Sequence, residues 1–455
     1  MRSTALIMSL LLLVSLAACS GGAEEEPYTA DVVIIGAGGA GLVAAIEAAE
    51  QGADVIIVEK MSFAGGSTLR TGRLGGRGSQ LHEEAGAGHT VEEFIDLVYK
   101  GGQEQGSLEH IRVIAENIGD ALDWYVEMGY DMYINPDSPD RPEHASGSNH
   151  GAELISVLMD KVEELNVEIL FNTKATELVM DEGRVVGVKA VSDVDTILID
   201  AKSVILATGE FGANAEMIEK YAPQWAGLQT SLMPPSSSGD GHKMAKEVGA
   251  KLVGMEWMVV RHGYLPGGVR VDGPDGGIYV NSESERFVNE SASREELSSA
   301  ILAQPDGFAW WVLPLDEAEN IGRLNAQIGQ SEHVFVADTI SELAAKTDLS
   351  PESLEKILDE LTVAPYGRDA DAFADFSVGP YVAAKVIPGS YTTMGGVDTD
   401  LDSRVLDTTG QPIPGLYAAG GVTGMIGDGR SAGANHAQLA VFGRIAGRTA
   451  VADIK

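Results

Sequence analysis

Cysteine is almost absent from the sequence, since Cys19 is the only one among 455 residues. A single cysteine cannot form a disulfide within the chain, and it cannot provide the Cys-x-x-Cys-His motif that attaches a c-type haem. It also cannot supply the set of ligands that holds an iron–sulfur cluster. Neither a c-type haem nor an iron–sulfur cluster is therefore expected on the given sequence.

Basic residues are also scarce, with 31 lysines and arginines against 68 aspartates and glutamates, which gives a formal net charge of -37. A chain this acidic is repelled by the phosphates of nucleic acids and by anionic membranes, so neither nucleic acid nor a general membrane surface is a predicted partner. An anionic small molecule would need arginines concentrated at its site. No pair of histidines or carboxylates has the spacing of a metal site, so no metal is predicted.

Long apolar runs are missing except at the N-terminus. Arg2 precedes an apolar stretch over residues 5–16, which ends in Leu16-Ala17-Ala18-Cys19. The stretch is shorter than the roughly 20 residues that cross a membrane, and it is typical of a bacterial lipoprotein signal peptide over residues 1–19. Cys19 would then carry a lipid and residues 20–28 would form a tether. The protein would lie outside the cytoplasm, anchored to a membrane of the periplasm or cell surface. The alternative is a transmembrane anchor.

The most informative stretch is a strand followed by a glycine-rich turn. Residues 31–35 form a short apolar run, which is typical of a buried parallel strand. Gly36, Gly38 and Gly41 follow it as G-x-G-x-x-G. In this motif the first glycine allows a tight turn, the second lets the backbone approach a pyrophosphate, and the third lets a helix pack close to the strand.

The segments after this turn complete a dinucleotide-binding unit. Residues 42–51 are rich in alanine and predict a helix, whose N-terminus offers free N–H groups to phosphates. A second strand is predicted at residues 54–58, and Glu59 at its end is placed to bind ribose hydroxyls. The alternative is an ordinary glycine-rich turn, which does not account for Glu59. The sequence therefore predicts nucleotide binding.

Further glycine motifs indicate a long cofactor. Gly65-Gly66 and Gly72 lie in the loop after Glu59, where small residues permit close approach of a ligand. Ala207-Thr208-Gly209 ends another buried strand, which we expect beside the adenosine half of the cofactor. Asp240 is the predicted N-cap of a helix. The alternative for the loop after Glu59 is plain flexibility.

The remaining pattern divides the chain into two units. Amphipathic helices are predicted at residues 90–100, 108–128 and 151–165, and strands at 167–171, 175–180, 185–191, 196–199 and 203–207. Residues 252–388 have more aromatic side chains, including Trp257, Trp310 and Trp311, and are interpreted as an inserted domain. The nucleotide-binding domain then consists of residues 29–251 and 389–455, and its last helix is expected over residues 431–453.

Several motifs in a fixed order resemble those of the soluble fumarate reductase family, which includes flavocytochrome c fumarate reductases, urocanate reductases and, more distantly, succinate dehydrogenase flavoproteins. Besides the fingerprint, they are Glu59-Lys60 with Gly65-Gly66, Ala207-Thr208-Gly209, Gly239-Asp240-Gly241, Glu285-Arg286-Phe287-Val288-Asn289-Glu290 followed by Arg294, Thr393-Met394-Gly395-Gly396, and Ile413-Pro414-Gly415-Leu416-Tyr417. The resemblance covers the chain from about residue 30 to its C-terminus.

This resemblance implies an α/β protein with a Rossmann-like FAD-binding domain and an inserted α+β capping domain. It implies non-covalent FAD, and the candidate cofactor contacts are Gly36, Gly38, Gly39, Ala40, Gly41, Glu59, Lys60, Gly65, Gly66, Ser67, Thr68, Gly72, Ala175, Ala207, Thr208, Gly209, Asp240, Gly421, Arg430 and Ala434.

The resemblance also implies a reaction. In the family, hydride passes from the reduced flavin to the β-carbon of an α,β-unsaturated carboxylate, and an arginine gives a proton to the α-carbon. By position that arginine is Arg294, whose alternative role is that of a surface residue near a helix start. Arg430 falls at the family's carboxylate-binding arginine, where a guanidinium matches a carboxylate bidentately. Its alternative role is an ion pair with Asp428.

At other positions, this chain has residues that differ from those of the fumarate reductases. The fumarate reductases carry two histidines before the Thr-Met-Gly-Gly motif, where this chain has Tyr391-Thr392. A further substrate histidine falls at Arg261 or His262, and the sequence does not decide between them. Residues 265–272 match the family's proton-relay segment poorly. We therefore expect Tyr391 and His262 among the catalytic residues, and an acceptor with a larger or aromatic tail walled by Tyr391 and Trp257.

The expected function is an extracytoplasmic reductase of unsaturated acids of the fumarate, urocanate or aryl-acrylate class, working as a respiratory electron sink. It would need a separate electron donor, either a cytochrome or a flavoprotein. Two alternatives stay open, namely a dehydrogenase of a saturated acid or ketosteroid and a flavin-binding lipoprotein without catalysis. His144, His150 and His436 are not expected to be functional.

Overall fold

The computed structural model describes residues 28–71, 74–135, 137, 142–145, 149–272, 276–361, 373–429 and 433–455. The predicted signal peptide with Cys19, the tether up to residue 27, Gly72 and Arg430 lie outside the described residues.

The strand β1 (Tyr28–Ile35) lies inside an eight-stranded sheet. Val32 and Ile34 pack into one hydrophobic core, and Val33 and Ile35 pack into another on the opposite face. A strand that is buried on both faces has to be apolar throughout, which explains the continuous apolar run. The order across this sheet is β16 (Arg404–Leu406), β17 (Pro412–Ala418), β8 (Thr196–Leu206), β1, β2 (Val55–Val58) and β5 (Glu168–Leu170). Two further strands are antiparallel: β7 (Arg184–Val191) pairs with β8, and β6 (Lys174–Asp181) pairs with β7.

Helices cover one face of this sheet. The alanine-rich α1 (Gly39–Glu50) packs against the C-terminal helix α13 (Ala434–Ala452), and both contribute to the core on that face. The other helices of this unit are α2 (Gln80–Ala85), α3 (Val91–Gly101), α4 (Leu108–Glu127), α5 (His150–Glu164), α6 (Ala215–Tyr221) and α7 (Asp240–Glu247). Two small sheets have two strands each: β3 (Met132–Tyr133) pairs with β4 (Glu143–His144), and β9 (Leu252–Val253) pairs with β15 (Gly396–Val397).

A second sheet of five strands forms the inserted unit. Its central strand, β14 (Tyr381–Thr393), pairs in antiparallel register with β10 (Met258–Tyr264), β12 (Ala309–Pro314) and β13 (Val334–Ala337). The strands are β10 (Met258–Tyr264), β11 (Ile278–Val280), β12 (Ala309–Pro314), β13 (Val334–Ala337) and β14, and the helices are α8 (Arg294–Leu302), α9 (Leu315–Asn320), α10 (Gly322–Asn325), α11 (Ile340–Thr347) and α12 (Pro351–Asp359). The expected α/β class, with a second α+β unit inserted in a Rossmann-like domain, is confirmed.

Two local predictions were wrong. The strands expected at 196–199 and 203–207 are one strand, β8, because the polar residues Asp200 and Lys202 point outward on an exposed stretch and do not break it. Asp240 is not an N-cap, because Gly239 takes that position with φ +73° and Asp240 is the first helical residue.

The inserted unit also extends past its expected end. The boundary predicted at residue 388 falls inside β14, which continues pairing with β10 up to Thr393. Residues 389–393, which were assigned to the nucleotide-binding domain, thus belong to the second sheet and lead from it back into the first unit. Within the described residues, every helix is too short or too polar to traverse a lipid bilayer.

Candidate functional site

A cavity of about 670 Å³ lies between the two units. Its floor is formed at the carboxyl ends of β1, β2 and β8, where Ile35, Val58 and Ala207 line it, and Val259 of β10 and Tyr391 of β14 line it from the second sheet. Ligands of open α/β sheets bind at the carboxyl edge of the strands. The cavity is therefore in the expected place, and its volume suits a sizeable ligand.

The glycine turn brings backbone against this cavity. Gly36 has φ +108°, and a Cβ there would lie 2.5 Å from the carbonyl oxygen of Ala207. A Cβ on Gly41 would lie 1.9 Å from the carbonyl oxygen of Gly36, so only glycine lets α1 start this close to the turn. A Cβ on Gly38 would come no closer than 3.9 Å to its neighbours, so this glycine faces open space and lines the cavity.

The N-terminus of α1 is open to an anion. Gly38 is the N-cap and provides no side chain to bind the first N–H groups, and no acidic residue stands in the first turn. Thr68 Oγ1 accepts the N–H of Gly39 at 3.2 Å. An uncapped helix N-terminus with a positive dipole end is suited to a phosphate group.

Glu59 is buried and holds the glycine turn from behind. Its carboxylate accepts the N–H of Ala37 at 2.7 Å and the N–H of Met61 at 2.8 Å. The residue also lines the cavity. It can therefore fix the turn and still present a carboxylate edge to a ribose.

A charged cluster lies beside Glu59. Lys60 Nζ contacts Asp240 at 2.7 Å and Ser238 at 2.6 Å, and Lys174 Nζ contacts Asp240 at 3.1 Å. Burial acts to raise the pKa of Asp240, but the hydrogen bonds from Lys60 and Ser238 outweigh it and lower the value to about 2. Asp240 thus stays ionised and positions both lysines on the cavity wall.

This half of the cavity also contains buried polar atoms without hydrogen-bond partners among the described residues. Thr208 Oγ1 and His436 Nε2 are buried, line the cavity and have no hydrogen-bond partner among the described residues. Gly433, the N-cap of α13, provides no side-chain cap and also lines the cavity. Two uncapped helix N-termini and two orphaned polar groups fit an elongated dinucleotide such as FAD.

The part of the cavity nearer the second sheet is strongly basic. Five arginines line it, and Asp272 is the carboxylate that pairs with two of them: it contacts Arg261 at 3.1 Å and also binds Arg270. The full set is Arg70, Arg261, Arg270, Arg294 and Arg323. A local excess of positive charge in a protein of net charge -37 is suited to an anionic substrate.

Arg294 is the first residue of α8. Ser293 caps this helix, and Ser293 and Glu296 bond reciprocally as a capping box. A cation at a helix N-terminus opposes the helix dipole, so this arginine is not placed for helix stability. Burial, Arg261 and Arg270 lower the pKa of Arg294 from its ordinary value. The position thus disfavours the charge, as expected for a residue that serves a ligand or a proton transfer.

The alternation of β10 decides between Arg261 and His262. Arg261 lines the cavity, and its guanidinium lies 4.4 Å from the ring centroid of Tyr391. His262 does not line the cavity, because the next residue of a strand points to the opposite face, where its ring packs edge-on against Tyr279 at 5.7 Å. Of these two residues, Arg261 lines the cavity and His262 does not.

Trp257 does not line the cavity either. It is half-buried and packs against the core of the first unit. Of the two residues expected to form an aromatic wall, only Tyr391 lines the cavity. Most of the charged side chains near it in the cavity wall are arginines.

Glu210 is a site residue that the sequence reasoning missed. It is buried in the cavity wall, where it accepts hydrogen bonds from Ser67 Oγ at 2.8 Å, from Thr392 Oγ1 and from the N–H of Thr393 at 2.9 Å. Burial raises the pKa of Glu210. Its carboxyl group connects the glycine loop of the first unit to the end of β14.

The other predicted residues divide into three groups. Gly41, Gly65 and Ala434 are not on the cavity surface but support it, and Gly72 and Arg430 lie outside the described residues. Those that line the cavity are Gly36, Gly38, Gly39, Ala40, Glu59, Lys60, Gly66, Ser67, Thr68, Ala175, Ala207, Thr208, Gly209, Asp240, Arg294, Tyr391 and Gly421.

Some residues that line the cavity lie close to glycine motifs in the sequence and could have been predicted from them. Arg70 lies two residues after the Gly-Gly-Ser-Thr loop, and His436 follows Gly433 by one helical turn, although His436 was expected to have no role. Arg323 had no such signal, because only the tertiary fold brings it to the cavity.

Comparison with known proteins places this site in a family. The family described as an FAD binding domain matches residues 31–436. A probable fumarate reductase of Shewanella frigidimarina is 33% identical over 444 residues, which cover 93% of this chain and 75% of the relative. A urocanate reductase of Eggerthella lenta is 32% identical over 454 residues, which cover 93% of this chain and 74% of the relative.

A solved structure shows the same likeness. The open conformation of a flavocytochrome c3 fumarate reductase matches with a TM-score of 0.85 and 32% identity, covering 94% of this chain and 79% of that chain. The chain therefore belongs to the FAD-binding flavoprotein family to which these reductases belong, and it is an FAD-dependent oxidoreductase acting on CH–CH bonds.

Proposed function

We propose that this protein reduces the carbon–carbon double bond of an α,β-unsaturated carboxylate outside the cytoplasm. The observation that carries the proposal is Arg294, which stands without an ion pair among the described residues in an arginine-lined cavity next to the cofactor fingerprint. The similar proteins named for fumarate and urocanate reduction support the substrate class. FAD would be held without a covalent bond.

The chain's own residues would bind the substrate and handle a proton, while bound FAD, once reduced, supplies the hydride. Arg294 gives the proton to the α-carbon. An arginine has an ordinary pKa above about 12 and is a poor acid in water, but burial and the neighbouring Arg261 and Arg270 lower the pKa of Arg294. Asp272, bound to both neighbours, provides a nearby carboxylate through which the proton can be returned.

The carboxylate of the substrate would be bound by Arg430. The alternative role for this arginine is an ion pair with Asp428, whose Oδ1 accepts the N–H of Met258 at 2.9 Å. A guanidinium at the carboxylate would also polarise the double bond for hydride addition.

The reductase reaction is tested with an electron-donating dye. The chain from residue 20, loaded with FAD, is reduced anaerobically by a viologen, and dye reoxidation is followed with acrylate, fumarate, urocanate, cinnamate and a 3-ketosteroid. We expect an acid to be the best acceptor. Replacing Arg294→Ala is expected to lower kcat by about a hundredfold or more, since a positioned general acid contributes about 10²–10⁴.

The control for this experiment is Arg112→Gln. Arg112 lies on α4 outside the cavity and pairs with Glu92 at 2.9 Å, so its loss should leave the rate unchanged. Turnover of the ketosteroid with none of the acids would contradict the proposal and favour the dehydrogenase alternative. Silence with every acceptor would favour the non-catalytic alternative.

The location and the electron donor are separate parts of the proposal. A lipid on Cys19 would anchor the protein outside the cytoplasm, and a distinct cytochrome or flavoprotein would deliver electrons. Loss of lipid labelling and release from the membrane fraction in Cys19→Ser would support the anchor. Retention of that variant in the membrane would argue for a transmembrane segment.

A further inference from the structure

Two arginines of the cavity are not used by the proposed reaction. Arg70 ends the 3-10 helix Gly66–Arg70 of the first unit, and Arg323 lies on α10 of the inserted unit. Both line the cavity, and neither forms an ion pair within the part of the chain that the structure describes. The polar contact of Arg70 is made by Nη1 to Met233 Sδ at 3.8 Å, which does not neutralise its charge.

Arg70 belongs to the same basic cluster as Arg261 and Arg270. Burial raises the pKa of Tyr264, and the charges of Arg261, Arg70 and Arg270 each act to lower it. The same three arginines line the cavity. The carboxylate of Asp272 is shared between Arg261 and Arg270.

The other acid near Arg70 is already engaged. Glu210 feels the charge of Arg70, but hydrogen bonds from Ser67, Thr392 and Thr393 engage both of its carboxylate oxygens. The donors of Arg70 therefore remain available to a ligand.

Like charges held together in a partly buried cavity are unfavourable unless an anion joins them. A single carboxylate is satisfied by one guanidinium fork, and the proposed function already assigns that role to Arg430. We propose that the acceptor carries a second anionic group, away from the carboxylate that activates its double bond, and that Arg70 and Arg323 bind this group. The proposal rests on the proposed function for the identity of the reacting end.

This assignment explains how a second anion is bound without the histidine pair. The positions of that pair hold Tyr391 and Thr392, of which Thr392 donates to Glu210 and Tyr391 covers Arg261. The second anion would lie between Arg70 of the first unit and Arg323 of the inserted unit. Its binding would also hold the two units together.

The test compares acids that differ in the number of carboxylates. Binding of the saturated, unreactive acids propionate, succinate and propane-1,2,3-tricarboxylate to the FAD-loaded protein is measured by calorimetry and by perturbation of the flavin absorbance. Succinate or the tricarboxylate is expected to bind at least about tenfold more tightly than propionate. In Arg70→Gln and Arg323→Gln this preference should fall about tenfold, whereas binding of propionate should not change.

Two variants act as controls. Arg70→Lys keeps the charge and should restore part of the preference, and Arg112→Gln removes an exposed arginine outside the cavity and should change nothing. Equal binding of the three acids by the wild-type protein, or equal weakening of all three in the two variants, would overturn the inference.

The experiment separates this inference from the proposed function. Dye reoxidation by acrylate without a preference for polycarboxylates would support the reductase and reject the second anion site. A polycarboxylate preference that depends on Arg70, without turnover of any acid, would support the second anion site and reject the reductase.

Discussion

Gly41 is the residue at which the cofactor turn is most sensitive to a side chain. A Cβ at this position would lie 1.9 Å from the carbonyl oxygen of Gly36, which is backbone and cannot rotate away. Gly41→Ala is therefore expected to shift α1 or the turn, to destabilise the protein by about 1–3 kcal/mol and to lower the FAD content. Thermal unfolding and the flavin absorbance of the purified protein measure both effects.

The matched control for Gly41 is Gly322→Ala. A Cβ at Gly322 would have no neighbour within 4 Å, and alanine is the better residue in a helix. This variant should keep both its FAD and its stability. Similar losses in the two variants would show that the close approach of α1 to the turn is unimportant.

Glu210 connects the two units through hydrogen bonds, and we expect these bonds to contribute more to stability than the charge of its carboxylate. Because burial raises the pKa of Glu210, its stabilising contribution is present at low pH and is lost as the pH rises through the raised pKa. Glu210→Gln keeps the shape and most hydrogen bonds, so it should be at least as stable as the wild type at pH 8. Glu210→Ala should lose about 1–3 kcal/mol, because Ser67 and Thr392 lose their acceptor.

Unfolding by urea at pH 5 and pH 8 distinguishes these expectations. If Glu210→Gln were as unstable as Glu210→Ala at pH 8, the ionised carboxylate would be required and the role assigned here would be wrong.

At the scale of the element, the strand β10 sorts its side chains by alternation. Arg261 faces the cavity and His262 faces the packed side of the second sheet. Arg261→Lys loses the planar fork and the stacking on Tyr391, so KM for the acceptor should rise about tenfold. His262→Phe should leave kcat/KM within about twofold, because His262 does not line the cavity and its ring packs against Tyr279. Steady-state kinetics with the best acceptor test the pair, and the reverse order of effects would contradict the alternation.

The elements built on local patterns could be predicted from the sequence. The run Val32–Ile35, the fingerprint glycines and the alanine-rich helix follow from backbone geometry within a few residues of each other, and they are found as β1, the turn and α1. Asp200 and Lys202 misled the prediction of β8, because exposed polar residues in a strand look like a break when the other face of the strand is not known.

The residues that could not be predicted depend on contacts between distant segments. Glu210 acquires its partners from residues 143 and 182 positions away along the chain. Asp240 was expected to cap a helix, but lysines from two other segments bind its carboxylate. The spacing of residues in a sequence gives no measure of such contacts, so the cofactor half of the site was easier to find than the substrate half.

At the scale of the whole molecule, the distribution of charge separates the surface from the cavity. The formal net charge is -37, whereas five arginines line the cavity beneath the second sheet. A field of this kind keeps the protein soluble and confines attraction for anions to one place. The inserted unit contributes Arg261, Arg270, Arg294 and Arg323, so the basic character of the cavity depends on both units being folded together.

Three buried histidines in different parts of the fold make the whole molecule sensitive to acid. Burial lowers the pKa of His242, His262 and His436 from the ordinary 6.5 to about 4. The unfolded chain binds these protons below pH 6.5 and the folded protein does not until about pH 4. The stability from these groups is therefore present above pH 6.5 and is lost as the pH falls toward 4.

The melting temperature, measured between pH 7.5 and pH 4.5, should fall over this window. His242→Phe is expected to flatten the fall, because the buried ring of His242 packs edge-on against Phe211 and a phenylalanine in its place cannot be protonated. The partly exposed His333 provides the control, and His333→Asn should leave the pH profile unchanged. Acidification also reduces the net charge, which favours the compact state, and it removes the stabilising contribution of carboxylates whose pKa is lowered in the folded protein, such as Asp240. The comparison of His242→Phe with the wild type therefore isolates the share of the histidine. A pH profile of the melting temperature that is equally steep in His242→Phe and in the wild type would show that protonation of this histidine does not limit stability.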